Sequence, residues 1–278
     1  MTLCAAGINQ FNNRIIVVCD RKLSFWGGLF SGDGMAFKVA DLCPQWYVMF
    51  SGPNSPVVPL LHSVVAAAKK LRTNTLRSMA GTCARAYRAE RKAIIENEVL
   101  AKYDVETYAE YSALKASDRD FYDSLTTEIK KAEEDWNLLF CGFDRNRKPH
   151  IFVIAEYGKI QYCDIEGFAV IGSGAWAGMI ALTNYPFNSL LSLGEGTYSL
   201  LAAKFSAERS ADGVGEDTVL AILRPGLMGV VPTLTDEQIN DMRNRWSELP
   251  RIPEGVDEEI GRDLKDIEDT AYPPAGVV

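Results

Sequence analysis

Two periodicities of apolar residues divide this chain into blocks, and the order of the blocks limits the fold more than any other feature. Leu3–Ile8 and Arg14-Ile-Ile-Val-Val-Cys-Asp20 flank the turn residues Asn-Gln-Phe-Asn-Asn at 9–13. That pattern reads as a hairpin buried on at least one face. Gly27-Gly28 and Ser31-Gly-Asp-Gly34 punctuate the chain before short strands over Ala36–Asp41 and Trp46–Ser51, closed by Gly52-Pro53. Helical spacing then takes over, with a helix expected over Val57–Leu71 and a second, which Asn74 can cap, running to about Ile95. Residues 96–134 are charged and aromatic at helical spacing and read as an inserted pair of helices. Strands return at Trp136–Phe143, His150–Ala155, Ile160–Cys163 and Phe168–Ile171. Helices are expected over Ala175–Leu182 and from Leu193 to Glu208, and last strands over Thr218–Leu223 and Gly229–Val231. Strands and helices segregated in this way argue for α+β, or for a sheet sandwich with outer helices, and against alternating βα units.

The composition, 47% apolar and 24% charged, is that of a globular protein and excludes a largely disordered chain. The six cysteines, Cys4, Cys19, Cys43, Cys83, Cys141 and Cys163, are scattered, with no Cys-x-x-Cys pair. They read as reduced, mostly buried thiols of a cytoplasmic protein. No apolar run approaches the ~20 residues of a membrane-spanning helix, and the first residues lack the pattern of a secretory signal. The formal charge is −8, of which −7 lies from Thr233 to Val278. The main domain, 1–231 with its insertion at 96–134, is therefore close to neutral, and an acidic extension follows at 232–278. Neither part has the basic excess of a nucleic-acid binder. Within the extension, Asp236–Leu249 has the pattern of an amphipathic helix.

Thr2 follows the first methionine, and removal of Met1 would expose it as the amino terminus. An N-terminal threonine carries a nucleophile and a base in one residue, because its α-amine, titrating near ~8, can take the hydroxyl proton. Most termini fray, whereas Thr2 leads straight into a strand. The second strand ends Cys19-Asp20-Arg21-Lys22, and Lys38 lies in an apolar strand between Phe37 and Val39, where a lysine must snorkel or be paired. An Asp20–Lys38 pair beside Thr2 would put a positive charge near its hydroxyl and ease ionisation.

On these segments the chain resembles the proteasome β-subunit family of N-terminal-nucleophile hydrolases, including its bacterial relatives, over about residues 2–95 and 136–231. Thr2 opens the first strand. Asp20-Arg21-Lys22-Leu23-Ser24, Phe37-Lys38-Val39 and Met49-Phe50-Ser51-Gly52 fit family segments, with fourteen residues from lysine to glycine as in the family. Leu139–Asp144, His150-Ile-Phe and Tyr157-Gly158 fit its central hairpin, and Ile171-Gly172-Ser173-Gly174 fits its glycine-serine-glycine turn. The resemblance implies a four-layer αββα sandwich of two antiparallel sheets, and a threonine-type endopeptidase or amidohydrolase with no cofactor. In that reading Thr2 is the nucleophile, Lys38 lowers its hydroxyl pKa and Asp20 orients Lys38. The Gly52 N–H donates to the oxyanion, and Ser173 supports the terminal amine. Ser24 binds substrate backbone, and Phe50 lies at the base of a pocket for small or apolar groups. The substrate would be a peptide or protein and the assembly a homo-oligomeric ring or stack, with any ATP-dependent unfoldase unknown.

The sequence also departs from the family. Its further Asp-x-x-Ser is matched best by Asp212-Gly-Val-Gly215, with glycine for serine. The loop from Ser24 to Phe37, the insertion and the acidic extension are additional. A catalytically inactive structural subunit and a small-amide acylase on the same fold therefore stand as alternatives. Among other motifs, Gly172-Ser-Gly174-Ala-Trp-Ala-Gly178 imitates a dinucleotide fingerprint but lacks the βαβ context. His62 and His150 have no neighbours at metal-ligand spacing, and no metal is assigned.

Overall fold

The computed structural model describes residues 2–11, 13–25, 30–32, 38–52, 54–72, 74–133, 136–184, 186–211, 214–226 and 232–248, giving backbone only for 23–25, 30–32, 54–56 and 133. Strands β1 (Cys4–Asn9), β2 (Arg14–Asp20), β10 (Phe168–Ile171) and β11 (Thr218–Leu223) form one antiparallel sheet in the order β10-β1-β2-β11. Strands β5 (Val39–Cys43), β6 (Trp46–Ser51), β7 (Asn137–Phe143), β8 (Pro149–Ala155) and β9 (Lys159–Tyr162) form a second, in sequence order. Leu23–Phe25 (β3) and Phe30–Gly32 (β4) pair as a separate hairpin that the glycine-rich sequence there does not announce.

Side chains alternate along a strand, so a strand buried on both faces feeds two cores at once. In β1 and β2, Cys4, Ala6, Ile8, Ile15, Val17 and Cys19 point between the sheets, where they meet Met49, Leu139 and Cys141 of the second sheet. The intervening Ala5, Ile16 and Val18 point outward onto helices α5 (Ala175–Asn184), α6 (Leu193–Ser210) and α7 (Asp236–Glu248). The second sheet does the same: Trp46, Val48, Leu138 and Phe140 face α1 (Asn54–Ala68) and α2 (Leu76–Glu98). The result is helix, sheet, sheet, helix: the four-layer αββα sandwich. Helices α3 (Tyr108–Ser117) and α4 (Arg119–Glu133) extend the α1–α2 core with Tyr111, Leu125 and Ile129. The strand expected at Gly229–Val231 lies outside the described residues.

The cap of α2 differs from the sequence expectation. Thr75, not Asn74, is the N-cap, in a reciprocal capping box with Ser78. Asn74 instead accepts a hydrogen bond from the Trp46 indole N–H and donates to the Phe143 carbonyl at 3.2 Å. Trp46 is fully buried, so its N–H has no access to water. Asn74→Ala is expected to destabilise the fold by ~1–3 kcal/mol, the cost of an orphaned buried donor. Thr75→Ala should cost only about 1 kcal/mol. Paired urea titrations check the ranking, and the reverse order would remove the role given to Asn74.

Candidate active site

Antiparallel pairing fixes what surrounds Thr2. Cys4 lies opposite Cys19 on one side and Ile171 on the other, so the residue two before it is flanked by the end of β2 and the turn after β10. Both neighbours bind it. The Leu3 N–H donates to Asp20 Oδ1 at 2.8 Å, and the Asp20 N–H returns to the Leu3 carbonyl at 3.2 Å. The Thr2 N–H donates to Ser173 Oγ at 3.1 Å, and the Gly174 N–H donates to the Thr2 carbonyl at 3.1 Å. Thr2 is thus buried and tied on both sides.

Lys38 comes from the other sheet. It stands immediately before β5, one residue outside it, and not within the strand as the sequence suggests. Its Nζ donates to Thr2 Oγ1 and, at 2.8 Å, to Asp20 Oδ2. The lysine is 2% exposed and the aspartate 0%. Asp20 Oδ2 also accepts the Lys22 N–H at 3.2 Å, so both carboxylate oxygens are engaged. The arrangement is a buried cation held by a carboxylate and hydrogen-bonded to a threonine hydroxyl. A charge in that position favours the alkoxide over the alcohol, and in a water-poor setting its effect is large.

Cys4 brings a thiol up beside the site. Its thiol reaches the Phe50 carbonyl at 3.5 Å. Burial, then the neighbouring Cys19, pushes it well above the ordinary thiol range, so it stays protonated. Gly172 shows how closely the turn after β10 approaches Thr2. Its φ is +102°, and a Cβ there would stand 2.1 Å from the Thr2 carbonyl oxygen. Gly172→Ala is therefore expected to displace Thr2. It should slow any reaction at the Thr2 hydroxyl by ~10²-fold, the usual penalty for a shift near 1 Å, in a protein that still folds. Reaction rate and melting temperature measured on the same preparation test this, and an unchanged rate would contradict it.

The remaining residues singled out from sequence are placed less closely. Gly52 follows β6 with φ +116°, a conformation that turns the chain sharply at the strand end. Phe50 is half-buried and backs onto the α1–α2 core. Ser24 lies in β3, of which only the backbone is described, and Asp212 lies outside the described residues. His150 is far from Thr2 in the fold. Its Nδ1 contacts Oδ2 of Asp164, two residues past the end of β9, at 2.6 Å. Among the described residues no group of His, Cys, Asp and Glu is arranged to hold a metal ion, and no helix is long and apolar enough to cross a membrane.

Sequence reading missed a second buried lysine. Lys204 is fully buried in α6, where its Nζ donates to Glu208 Oε1 and, at 2.6 Å, to the Gly215 carbonyl. Its signal was the one that exposed Lys38, a lone lysine in an apolar run, here Leu200-Leu-Ala-Ala-Lys204-Phe. Beside Ser173, a groove of about 300 Å³ opens between α5 and α6, lined by Trp176, Ile180, Asn184, Ser206 and Ser210 among others.

No family model and no curated protein matches the chain. Among solved structures it is similar to Anbu, a bacterial proteasome-like protein, from Hyphomicrobium sp. strain MC1. A Gly-1 mutant of Anbu superposes with a TM-score of 0.62 at 16% identity, over 89% of this chain and 94% of that one. Anbu itself gives 0.59 at 17% identity, with the same coverage. At that identity the likeness concerns the fold: the chain has the proteasome-like αββα sandwich.

Proposed function

We propose that the protein hydrolyses amide bonds, with Thr2 as an N-terminal nucleophile freed by removal of the residue before it. The observation that carries the reading is Lys38, buried and bridging Thr2 Oγ1 and Asp20 Oδ2. A buried ion pair is a poor source of stability, and its contact with a hydroxyl is the geometry of an activated nucleophile. Removal of Met1 turns the Thr2 amide nitrogen into an amine, next to Ser173 Oγ, which already accepts its proton.

In the reaction, Thr2 Oγ1 attacks the amide carbonyl carbon while its proton passes to the α-amine. The Gly52 N–H donates to the oxyanion. The C–N bond then breaks, the proton leaves with the departing amine, and an ester to Thr2 remains. Water cleaves that ester by the same steps in reverse. Lys38 stabilises the forming alkoxide, Asp20 holds Lys38, and Asp212 and Ser173 support the amine. Ser24 binds the substrate backbone and half-buried Phe50 forms the base of its pocket; the substrate is a peptide in the first instance. The chain works in the cytoplasm as a homo-oligomer that encloses its sites.

Glycine at 215 in place of the family's serine favours a second reading, an inactive assembly subunit. Intact-mass spectrometry with an epoxyketone electrophile, which needs a hydroxyl and a free amine on one residue, separates the two. The expected result is a protein lacking Met1 with a single adduct that Thr2→Ala does not form. A retained Met1 without adduct sinks the enzyme reading.

A further inference from the structure

Helix α7 lies beyond the last described strand, yet its polar contacts lead back to Asp20. Arg243 donates from Nε to Glu208 Oε2 at 3.0 Å and from an Nη to the Glu216 carbonyl at 2.5 Å. Glu208 is the partner of Lys204, and Lys204 holds the Gly215 carbonyl. The next carbonyl, of Asp217, accepts the Arg21 N–H at 3.0 Å, and Thr218 then pairs with Asp20. Three successive carbonyls, 215 to 217, are therefore fixed in turn by Lys204, by Arg243 and by the residue after Asp20. The same segment packs closely on Gly174, where a Cβ would stand 2.9 Å from Val214 Cγ2. Gly174 is the residue whose N–H holds the Thr2 carbonyl.

The buried lysine at the centre of this network is costly to keep. A lysine fully buried between Leu200 and Phe205 carries a desolvation penalty that a methionine of similar length would avoid. Burial accordingly drives the Lys204 ammonium below the ordinary lysine range, against the pull of Glu208 and of Asp20. The apolar side of α7, Ile239 and Met242, packs into the core, and the Arg243 guanidinium lies 5.1 Å from the centre of the Phe205 ring, so the arginine reaches the strap from within that packing.

We propose that Lys204 and Arg243 are positioning residues for Asp20, and that α7 thereby completes the nucleophile site. The inference rests on the reading of Thr2 as nucleophile. The strap from 214 to 217 sets where β11 meets β2, and so where Asp20 presents its two oxygens to Leu3 and Lys38. Without the Arg243 contacts, Glu208 loses its outer partner and the strap one of its three anchors. Lys38 then loses alignment with Thr2 Oγ1, although neither residue touches α7.

The test compares wild type, Arg243→Ala, Arg243→Gln and Arg243→Lys, with Asp241→Ala, exposed on the same helix, as control. Epoxyketone labelling of Thr2 is followed against probe concentration, and amide hydrogen exchange is followed at Arg21. Arg243→Ala should lower the maximal labelling rate ~10-fold or more without moving the half-saturating concentration. Exchange at Arg21 should rise about tenfold. Arg243→Lys should recover part of both, and Asp241→Ala should change neither. Arg243→Gln, which keeps a donor for the Glu216 carbonyl, serves if the alanine variant does not fold. A folded variant with wild-type labelling and wild-type exchange at Arg21 overturns the proposal. If no form labels, wild type included, the nucleophile reading falls. Exchange at Arg21 then decides the brace alone, faster exchange supporting it and unchanged exchange overturning it.

Discussion

Replacing Lys38 by methionine is expected to slow epoxyketone labelling of Thr2 by about 10³-fold while leaving the protein folded at low temperature. The size follows from the site. Unit charges at hydrogen-bond contact interact by roughly 5 kcal/mol at an effective dielectric near 20, and each 1.36 kcal/mol is a factor of ten in rate. Part of that is offset because the ammonium is already held by Asp20 at 2.8 Å. What remains acts mainly on the alkoxide, since the neutral hydroxyl gains only a hydrogen bond. Thr2→Ser keeps the hydroxyl and should stay within ~10-fold of wild type, whereas Thr2→Ala should form no adduct. Labelling kinetics by mass spectrometry separate these cases. A Lys38→Met protein labelled at the wild-type rate would show that the lysine does not activate Thr2, and would leave the pair without a chemical purpose.

The meeting of Asp20 and Lys38 beside Thr2 is legible in the sequence for a physical reason. Thr2, Asp20, Lys38 and Ser173 all stand at the ends of short apolar runs, and a polar residue that interrupts such a run has to be explained locally. Antiparallel pairing then brings those ends together, because β1 is flanked by β2 and β10 with Cys4 opposite Cys19 and Ile171. The brace behind Asp20 was hidden for the opposite reason. Lys204 and Arg243 belong to separate helices, and what joins them is a carboxylate and two carbonyls brought together only by the packing of α6 on α7. Backbone acceptors leave no mark in a sequence. Asn74 misled in the same way: Asn and Thr are both good caps, and only the Trp46 indole, from a strand 28 positions earlier, decides which of them is free to cap. The β3–β4 hairpin escapes the sequence because each strand is three residues long, too short for alternation to register, and glycines punctuate the stretch.

The second large effect is a split between stability and reactivity at the Asp20–Lys38 pair. Either Asp20→Asn or Lys38→Met alone leaves a formal charge in a site at most 2% exposed, and each is expected to destabilise the fold by ~3–5 kcal/mol. The double variant Asp20→Asn/Lys38→Met removes both charges. Asn keeps an oxygen for the Leu3 N–H, which Asp20 Oδ1 now accepts at 2.8 Å, and methionine fills the volume of the lysine stem. The double variant should therefore regain stability to within about 1–2 kcal/mol of wild type, because neutral packing replaces a pair whose attraction barely repays its desolvation. Its Thr2 should remain unlabelled. Denaturant midpoints for the four proteins close the cycle, and the labelling rate is read on the same samples. Recovery of stability without recovery of labelling means that the chain retains two buried charges it does not need for folding. Additive losses in the double variant would reverse that conclusion. They would mean that the pair holds β2 against the second sheet, and that its contact with the Thr2 hydroxyl is a consequence of the fold and not its use.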